Sequence, residues 1–472
     1  MPTAATIESD NAQDGGGANL RRAKSFAKTK DQWNFRPPAE DVYDRLEEFF
    51  PKIDLDKPVV QAPTLEGLPE TAQQPTETIQ TPVPKPHRQP GFNKADARKS
   101  IRFVAEGRKK HLSKIAPAVK QQGSSLERKR SSSMWGHKVV EVTPAGIEQG
   151  KLPPAPIEET VSDDGPVTMT WVKGDLIGKG TYGRVYLALN ATTGDMIAVK
   201  QVEMPRTDTE REDARQTGMI EALKSEIALL KDLDHPQVVA YLGWEESPEF
   251  LSIFLEYVPG GSVASVYRRH KKFEEQVIKS FTMQILDGLA YLHSLNILHR
   301  DLKADNILVD HNGTCKISDF GISKRTNDAY DSIISTNLKG SVFWMAPEVV
   351  HSVKGQGYSA KVDIWSLGCV VLEMWAGRRP WGDMEALAAM FQLANTRAAP
   401  PVPDDVTLSP VADDFLNKKC FAPSPRDRPV AEELLRHPFI TDRDPNWTFM
   451  DSKIGRAVAA GTKRRRVEPS QG

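Results

Sequence analysis

The chain carries two different patterns of apolar and polar residues, and the pattern changes near residue 260. Between residues 171 and 257, short runs alternate apolar and polar side chains, as in MIAVKQV at 196–202 and again at 251–257, which predicts half-buried strands. A helical spacing appears between them at 220–233, and after residue 261 the pattern becomes largely helical. We therefore predict an α+β fold in which a small β-rich lobe precedes a larger helical lobe, with a cleft between them.

Residues 1–165 have a different character, because they are rich in Pro, Gln, Ser, Thr and charged residues. Such a segment has few apolar residues in periodic order, so burial offers little to offset the conformational entropy lost on ordering. We predict that this extension is mostly disordered. In DVYDRLEEFFP at 41–51, however, the apolar residues are spaced as on one face of a helix. Two interpretations stay open for it, a short docking helix and a transient helix without a partner.

Residues 93–130 form a basic segment, with twelve Lys or Arg residues against three acidic ones. Apolar residues run through it near helical spacing, namely Ile101, Val104, Ala105, Leu112 and Ile115. An autoinhibitory or lipid-binding role is one hypothesis, and a solvated basic linker is the alternative that a run of charge most often represents. The sequence Arg128-Lys-Arg-Ser-Ser-Ser133 is a candidate phosphorylation site, and phosphates there would neutralise part of the segment.

Composition limits the classes of protein that the chain can represent. A chain of 472 residues is longer than one hydrophobic core usually accommodates, so one domain with appended segments is the simplest arrangement. The three cysteines lack paired metal-ligand spacing, which argues against disulfides and zinc and favours a reducing compartment. The N-terminus has no apolar signal segment, and the apolar run at 369–375 is interrupted by Glu373. We therefore expect neither secretion nor a membrane span.

A glycine-rich turn is the first candidate for chemistry. GKGTYGRV matches G-x-G-x-x-G-x-V, in which backbone N–H groups can approach phosphate oxygens because glycine has no side chain; the pattern residues are Gly178, Gly180, Gly183 and Val185. A dinucleotide-binding turn would continue into a helix, whereas residues 184–188 continue as a strand. Phosphoryl transfer requires a fixed cation beside the phosphates, held by a carboxylate, and Lys200 with Glu226 are the candidates. For either residue alone, a surface ion pair is the alternative.

ILHRDLKADNILV and the following ISDFG contain the other groups that phosphoryl transfer needs. Asp301 is placed to accept the proton of a substrate hydroxyl, while Asn306 and Asp319 are placed to bind Mg²⁺. Because this chemistry consists mainly of positioning and charge neutralisation, one base and two metal ligands suffice. Further on, GSVFWMAPE ends at Glu348, and Arg428 in Asp-Arg-Pro is a candidate partner for that glutamate.

These motifs, present in order, resemble the protein-kinase family over residues 171–440. The resemblance implies a bilobal protein-kinase fold, followed by a C-terminal tail at 441–472. Lys303 stands two residues after Asp301, and a lysine at this position resembles the serine/threonine class of kinases. GKGTYGRVYLALNATTGDMIAVKQVE, FLEYVPGGSV and GSVFWMAPEVV resemble MAP kinase kinase kinases of the fungal cell-wall-integrity type. The alternatives are a kinase of the p21-activated or sterile-twenty group and a pseudokinase scaffold.

The resemblance also implies roles for individual residues. Asp301 would be the catalytic base, Lys303 would stabilise charge on the transferring group, and Asn306 with Asp319 would hold Mg²⁺. Leu255 would be the gatekeeper of the adenine pocket. ATP would be bound by Ile177, Gly178, Gly180, Gly183, Val185, Ala198, Lys200, Glu226, Glu256, Val258 and Leu308.

The expected protein partners follow from the same resemblance. The expected substrate is the activation loop of a MAP kinase kinase, and an upstream kinase is the expected activator. A phosphate on Ser335 or Thr336 that pairs with Arg300 is the hypothesis for switching. We expect a cytoplasmic protein without a nucleic acid partner. The basic run Lys463-Arg-Arg-Arg466 is either a nuclear import signal or a solubilising tail.

Overall fold

The structure, a computed structural model, describes residues 36–56, 100–115, 134–135, 137–142, 168–180, 183–205, 220, 223–224, 227, 230–319, 341–350 and 359–458. These residues form a small β-rich lobe followed by a larger helical lobe, which confirms the predicted α+β class. No helix in the described part of the chain is long and apolar enough to cross a membrane.

Six strands form the main sheet of the first lobe, in the order β1-β2-β3-β4-β6-β5. Strand β1 pairs with β2 in parallel, whereas the other neighbours are antiparallel. A second, antiparallel sheet has the order β7-β8-β9. The strands are β1 Lys138–Glu141, β2 Thr168–Gly180, β3 Gly183–Asn190, β4 Met196–Glu203, β5 Tyr241–Glu246, β6 Phe250–Glu256, β7 Gly261–Ser262, β8 Ile307–Val309 and β9 Cys315–Ile317.

The central strand β4 is buried on both faces, so the half-buried strand predicted there is wrong in its burial. Successive side chains of a strand point to opposite faces. Ile197 and Val199 therefore lie in an apolar cluster on one face, while Ala198 and Lys200 lie on the other face and are also buried. The side chains that face the cleft are as deeply buried as those in the apolar cluster. The alternation of apolar and polar residues does not show this burial.

Two long helices form the centre of the second lobe. Helix α7, Lys361–Ala376, has apolar residues on all sides and is almost entirely buried, as expected for a helix with other elements around it, and helix α5, Glu275–Ser294, packs against it. A short 3₁₀ turn, Ala304–Asn306, leads directly into β8. The helices are α1 Ala39–Asp44, α2 Leu46–Phe49, α3 Ile101–Ile115, α4 Val263–His270, α5 Glu275–Ser294, α6 Pro347–Val350, α7 Lys361–Ala376, α8 Ala386–Thr396, α9 Pro410–Asp413, α10 Ala431–Leu434 and α11 Pro438–Thr441.

Helices α1 and α2 pack on the main sheet, although the sequence predicts a mostly disordered extension there. Val42, Phe49 and Phe50 are at most 1% exposed and share one apolar cluster with strand residues such as Leu187. At Gly174 on β2, a β-carbon would come 2.8 Å from Cε1 of Phe50, so the close approach requires glycine. The docking-helix interpretation of residues 41–51 is therefore the correct one, and the partner is the chain's own sheet.

The basic helix α3 is also docked, which corrects the solvated-linker alternative for residues 101–115. Arg102 forms ion pairs with Asp56 at 2.6 Å and with Glu47 at 2.7 Å. Arg108 forms an ion pair with Asp195, in the turn between β3 and β4, at 2.5 Å. The arginines of α3 thus form ion pairs with acidic residues of the N-terminal extension and of the turn between β3 and β4.

Candidate active site

The roof of the cleft is the hairpin of β2 and β3. Its register places Gly178 opposite Val185 and Gly180 opposite Gly183. A β-carbon on Gly183 would come 2.2 Å from the carbonyl oxygen of Gln201, so packing requires glycine there. A β-carbon on Gly178 would meet Val185 only at 3.5 Å, an ordinary contact. Packing therefore explains Gly183, whereas the bare backbone at Gly178 suits the approach of a ligand phosphate.

The predicted adenine pocket is apolar. Val258 and Leu308 share a small cluster with Val239, and Leu255 packs against it. Ala198 lies beside Leu255 in the register of β4 and β6. The structure thus brings together four of the predicted adenine contacts from β4, β6, β8 and the segment after β6.

Two other predicted nucleotide contacts are placed less directly. The Glu256 carboxylate forms an ion pair with Lys316 at 3.0 Å, so any adenine contact of Glu256 is made through its backbone. Ile177 is half-buried and packs against the cluster that α1 and α2 form with the sheet.

Lys200 and Asp319 form a direct ion pair across the cleft. The distance between Nζ of Lys200 and Oδ1 of Asp319 is 2.7 Å, and the lysine side chain is 4% exposed. Burial alone would raise the pKa of the Asp319 carboxyl, but the charge and hydrogen bond of Lys200 hold that pKa below its ordinary value. Asp319 is therefore a carboxylate at neutral pH. Glu226, the predicted partner of Lys200, lies outside the described residues.

Asp301, Lys303 and Asn306 are held together by hydrogen bonds around one carboxylate. Nζ of Lys303 donates to Oδ2 of Asp301 at 2.6 Å. Nδ2 of Asn306 donates to the carbonyl oxygen of Asp301 at 2.8 Å and to its Oδ2 at 3.1 Å. Because the amide nitrogen is turned toward Asp301, Oδ1 is the atom of Asn306 that a cation would bind.

The donor set suits a metal ion that also binds substrate phosphates. Asn306 and Asp319 offer one amide oxygen and one carboxylate, which are hard ligands of the kind that Mg²⁺ prefers. In the described residues no group of three or more His, Cys, Asp or Glu side chains could hold a metal ion by itself. A metal ion bound here would complete its coordination with phosphate oxygens and water, as Mg²⁺ commonly does.

Asp363, which the sequence analysis missed, positions the backbone next to the base. Its carboxylate, fully buried on α7, accepts hydrogen bonds from the backbone N–H groups of His299 at 2.9 Å and Arg300 at 2.8 Å, and lies 2.9 Å from Nε2 of His293. Arg300 has φ +63°, a conformation that is costly for a residue other than glycine, and these bonds help to hold it. The available signal was an acidic residue within the apolar pattern of α7.

Glu373 is a second buried carboxyl that the sequence analysis did not assign to the site. It accepts hydrogen bonds from the backbone N–H of Ala304 at 3.1 Å, from Nε1 of Trp344 at 2.7 Å and from the hydroxyl of Tyr267 at 2.9 Å. It therefore ties the segment of Lys303 to three other elements. Burial raises the pKa of the Glu373 carboxyl to about 8, and these hydrogen bonds act in the opposite direction.

The predicted pair of Glu348 and Arg428 is confirmed. Nη1 and Nη2 of Arg428 bind the two carboxylate oxygens of Glu348, each at 2.7 Å. The arginine side chain is fully buried, and its guanidinium lies 5.2 Å from the ring centre of Trp365. This two-point contact anchors the start of α6 to the helical lobe.

Several sequence hypotheses lie outside the described residues. They concern Ser335 and Thr336, the phosphorylation site at 128–133 and the basic run at 463–466. They stay predictions.

The cleft contains a buried lysine, a carboxylate that can act as a base and two oxygen ligands for a metal ion. These are the groups that an enzyme needs to transfer a phosphoryl group to a hydroxyl. The family described as Protein kinase domain matches residues 171–440, and the chain belongs to this family. Domains of this family use ATP and a divalent metal ion.

The chain is also similar to three curated fungal kinases. It is 45% identical to bck1 of Aspergillus fumigatus, named a mitogen-activated protein kinase kinase kinase, over 92% of this chain and 29% of that protein. It is 44% identical to the MAP kinase kinase kinase mkh1 of Schizosaccharomyces pombe over 89% of this chain and 35% of that protein. It is 43% identical to the serine/threonine-protein kinase BCK1/SLK1/SSP31 of Saccharomyces cerevisiae over 92% of this chain and 30% of that protein. The chain thus spans about a third of the length of these relatives.

Proposed function

We propose that this chain is an ATP- and Mg²⁺-dependent serine/threonine kinase that acts as a MAP kinase kinase kinase, with the activation loop of a MAP kinase kinase as its substrate. The observation that carries the proposal is the contact of Lys303 with Asp301 at 2.6 Å, because it places a cation beside the base. The names of the fungal relatives support the substrate class.

The residues of the site divide the work of the reaction. Asp301 accepts the proton of the substrate hydroxyl, and Asn306 fixes the orientation of Asp301 while offering Oδ1 to a metal ion. Lys303 neutralises charge that develops next to the base. Lys200 and Asp319 would hold the phosphates and Mg²⁺ respectively. Bound MgATP supplies the phosphoryl group and most of the neutralising positive charge.

A phosphorylation assay against a panel of catalytically inactive MAP kinase kinases tests this function. We expect phosphate on serine or threonine in the activation loop of at least one panel member. Asp301→Ala should lower the rate by at least about 100-fold, because it removes the base. Asp305→Ala is the matched control, since Asp305 forms an exposed ion pair with Arg268 and should leave the rate nearly unchanged. Phosphate transfer only to other protein classes would reject the MAP kinase kinase kinase assignment.

The alternatives are less well supported. A pseudokinase would lack part of the chemistry, whereas Lys200, Asp301 and Asp319 are all present and lie around one cleft. A kinase of the p21-activated or sterile-twenty group fits the named relatives less well, because two of them are MAP kinase kinase kinases by name.

The proposal also includes regulation and location. Phosphorylation of Ser335 or Thr336 by an upstream kinase would activate the enzyme, and mass spectrometry of active protein should find phosphate there. We propose a cytoplasmic location, with nuclear import through Lys463-Arg-Arg-Arg466 as the alternative. A fluorescent fusion of residues 455–472 that stays evenly distributed would reject the import signal.

A further inference from the structure

The segment before α1 lies at the end of the adenine pocket. The backbone N–H of Arg36 donates to the carbonyl oxygen of Gly260 at 2.6 Å, and the N–H of Gly260 donates back to Arg36 at 2.9 Å. This antiparallel bridge lies two residues beyond Val258, which lines the pocket. Only main-chain atoms form the bridge, so it does not depend on which side chain occupies position 36.

The Arg36 side chain extends from this bridge to the roof of the cleft. Its Nη2 lies 3.8 Å from the position that a β-carbon on Gly178 would occupy. Gly178 is the first glycine of the phosphate-binding pattern, so the guanidinium lies at the turn expected to contact phosphates. Burial lowers the pKa of Arg36, while Tyr257 and Asp319 act in the opposite direction, and an arginine stays a cation under such conditions. Arg36 is thus an additional positive charge in the cleft.

The position of Arg36 is fixed from both sides. The hydroxyl of Tyr257 donates to the carbonyl oxygen of Pro37 at 2.7 Å, and Tyr257 is itself only 8% exposed. Beyond Pro37, the hydroxyl of Tyr43 on α1 donates to the carbonyl oxygen of Gly194 at 2.7 Å. On the other side, Gly260 is confined, because a β-carbon there would come 2.1 Å from the carbonyl oxygen of Val309. These contacts hold the main chain at Arg36, so only the side-chain torsions of the arginine remain to be ordered when its guanidinium binds an anion.

We propose that Arg36 is a nucleotide-binding residue, and that its guanidinium binds phosphate oxygens of ATP beneath the glycine-rich turn. This inference rests on the proposed use of ATP. Guanidinium groups match phosphate oxygens with several fixed donors, which makes such contacts strong and specific for the anion. The cation comes from outside the matched kinase domain at 171–440, so the extension completes the nucleotide site.

Equilibrium binding of MgATP and of adenosine to the full chain tests the proposal, because adenosine lacks phosphates. Arg36→Gln keeps a long polar side chain but removes the charge, and we expect its Kd for MgATP to rise about tenfold. Its Kd for adenosine should change less than about twofold, because adenosine has no phosphate for the guanidinium to bind and the backbone bridge at Gly260 remains. Arg36→Lys should recover part of the MgATP affinity, since it restores a positive charge. Arg45→Ala, on the same segment but paired with Glu48 outside the cleft, is the matched control and should bind like wild type.

The outcomes separate the possible roles of Arg36. An unchanged MgATP affinity in Arg36→Gln would overturn the inference alone. Tighter MgATP binding in that variant would also overturn it, and would show that the arginine obstructs the cleft. Equal losses for MgATP and adenosine would indicate a purely structural role and would contradict it as well. If the wild-type protein shows no detectable binding of either adenosine or MgATP, the proposed function fails together with the inference.

Discussion

Asp319 is the residue whose replacement most directly tests the metal ligands. Asp319→Asn keeps the size of the side chain but removes the charge that Lys200 stabilises. We expect the Mg²⁺ concentration for half-maximal activity to rise by about tenfold or more, because a neutral amide binds this hard cation less strongly. The turnover rate should also fall. Asp305→Asn is the control, and a Mg²⁺ requirement equal to wild type in Asp319→Asn would contradict the ligand assignment.

Glu373 gives the fold a predicted dependence on pH. Its pKa rises from 4.5 to about 8 on folding, so between these values the folded state binds one proton that the unfolded state does not. The free energy of unfolding should therefore fall by up to about 1.4 kcal/mol per pH unit as pH rises through this window. The stabilisation is complete below pH 4.5 and is lost above pH 8. Denaturant titrations of wild type and Glu373→Gln at several pH values test this, because the glutamine cannot titrate. Parallel pH curves for the two proteins would disprove the raised pKa.

Residues that act through short sequence motifs could be predicted, and residues that act through distant contacts could not. Asp301, Lys303 and Asn306 are neighbours in sequence, so the motif indicated that they share one site, and the structure adds the hydrogen bonds between them. Asp363 reaches Arg300 across 63 positions of sequence, and nothing in the local pattern of α7 indicates which backbone it binds. The apolar setting marks such an acid as unusual, but only the fold shows its partner.

At the scale of elements, α1 and α2 are integral to the first lobe. Phe49→Ala would leave a cavity between α2 and the sheet, since Phe49 is 1% exposed. We expect it to lower the free energy of unfolding by about 3–5 kcal/mol. Phe103→Ala is a matched control on α3, because Phe103 is 49% exposed. Denaturant unfolding measures both variants, and a Phe49→Ala protein as stable as Phe103→Ala would show that α2 does not pack as described.

The ion pair of Arg108 and Asp195 contributes to the docking of α3. Their side chains are 15% and 12% exposed, so the pair is less screened than a surface pair. A double-mutant cycle with Arg108→Ala and Asp195→Ala should give a coupling energy of about 1–3 kcal/mol. The ion pair of Arg45 and Glu48, with side chains 33% and 60% exposed, is the control and should give less than about 0.5 kcal/mol. Equal coupling energies for the two pairs would contradict a specific contribution at α3.

Composition did not indicate that parts of the N-terminal extension have an ordered structure. Its apolar residues are few and widely spaced, so each segment alone buries too little to fold. The sheet supplies the missing surface, as in the contact of Tyr43 with Gly194, which are 151 positions apart. The helical spacing at 41–51 predicted the helix but not the surface that it covers.

At the scale of the whole molecule, the folded unit is larger than the kinase domain matched at 171–440. Strand β1 and helices α1 to α3 precede that range and pack on it. Through Arg36, the N-terminal segment also contributes a side chain to the nucleotide cleft. The catalytic lobe and its N-terminal segments therefore form one structure.

The parallel strand β1 lies at one edge of the main sheet, and we expect it to protect the molecule from self-association. It pairs with the first four residues of β2, Thr168 to Trp171, whose N–H and C=O groups on that side would otherwise be unpaired at an open edge. A protein that lacks only residues 138–141 should form oligomers through that edge, whereas the full chain should stay monomeric. Both keep α1 to α3, so light scattering of the two isolates the effect of a single strand. Equal oligomerisation would assign the protection to another segment, and monomers in both would show that β2 needs no cover. For anyone who expresses this kinase, we therefore expect solubility to depend on four residues, Lys138–Glu141, that lie outside the matched domain.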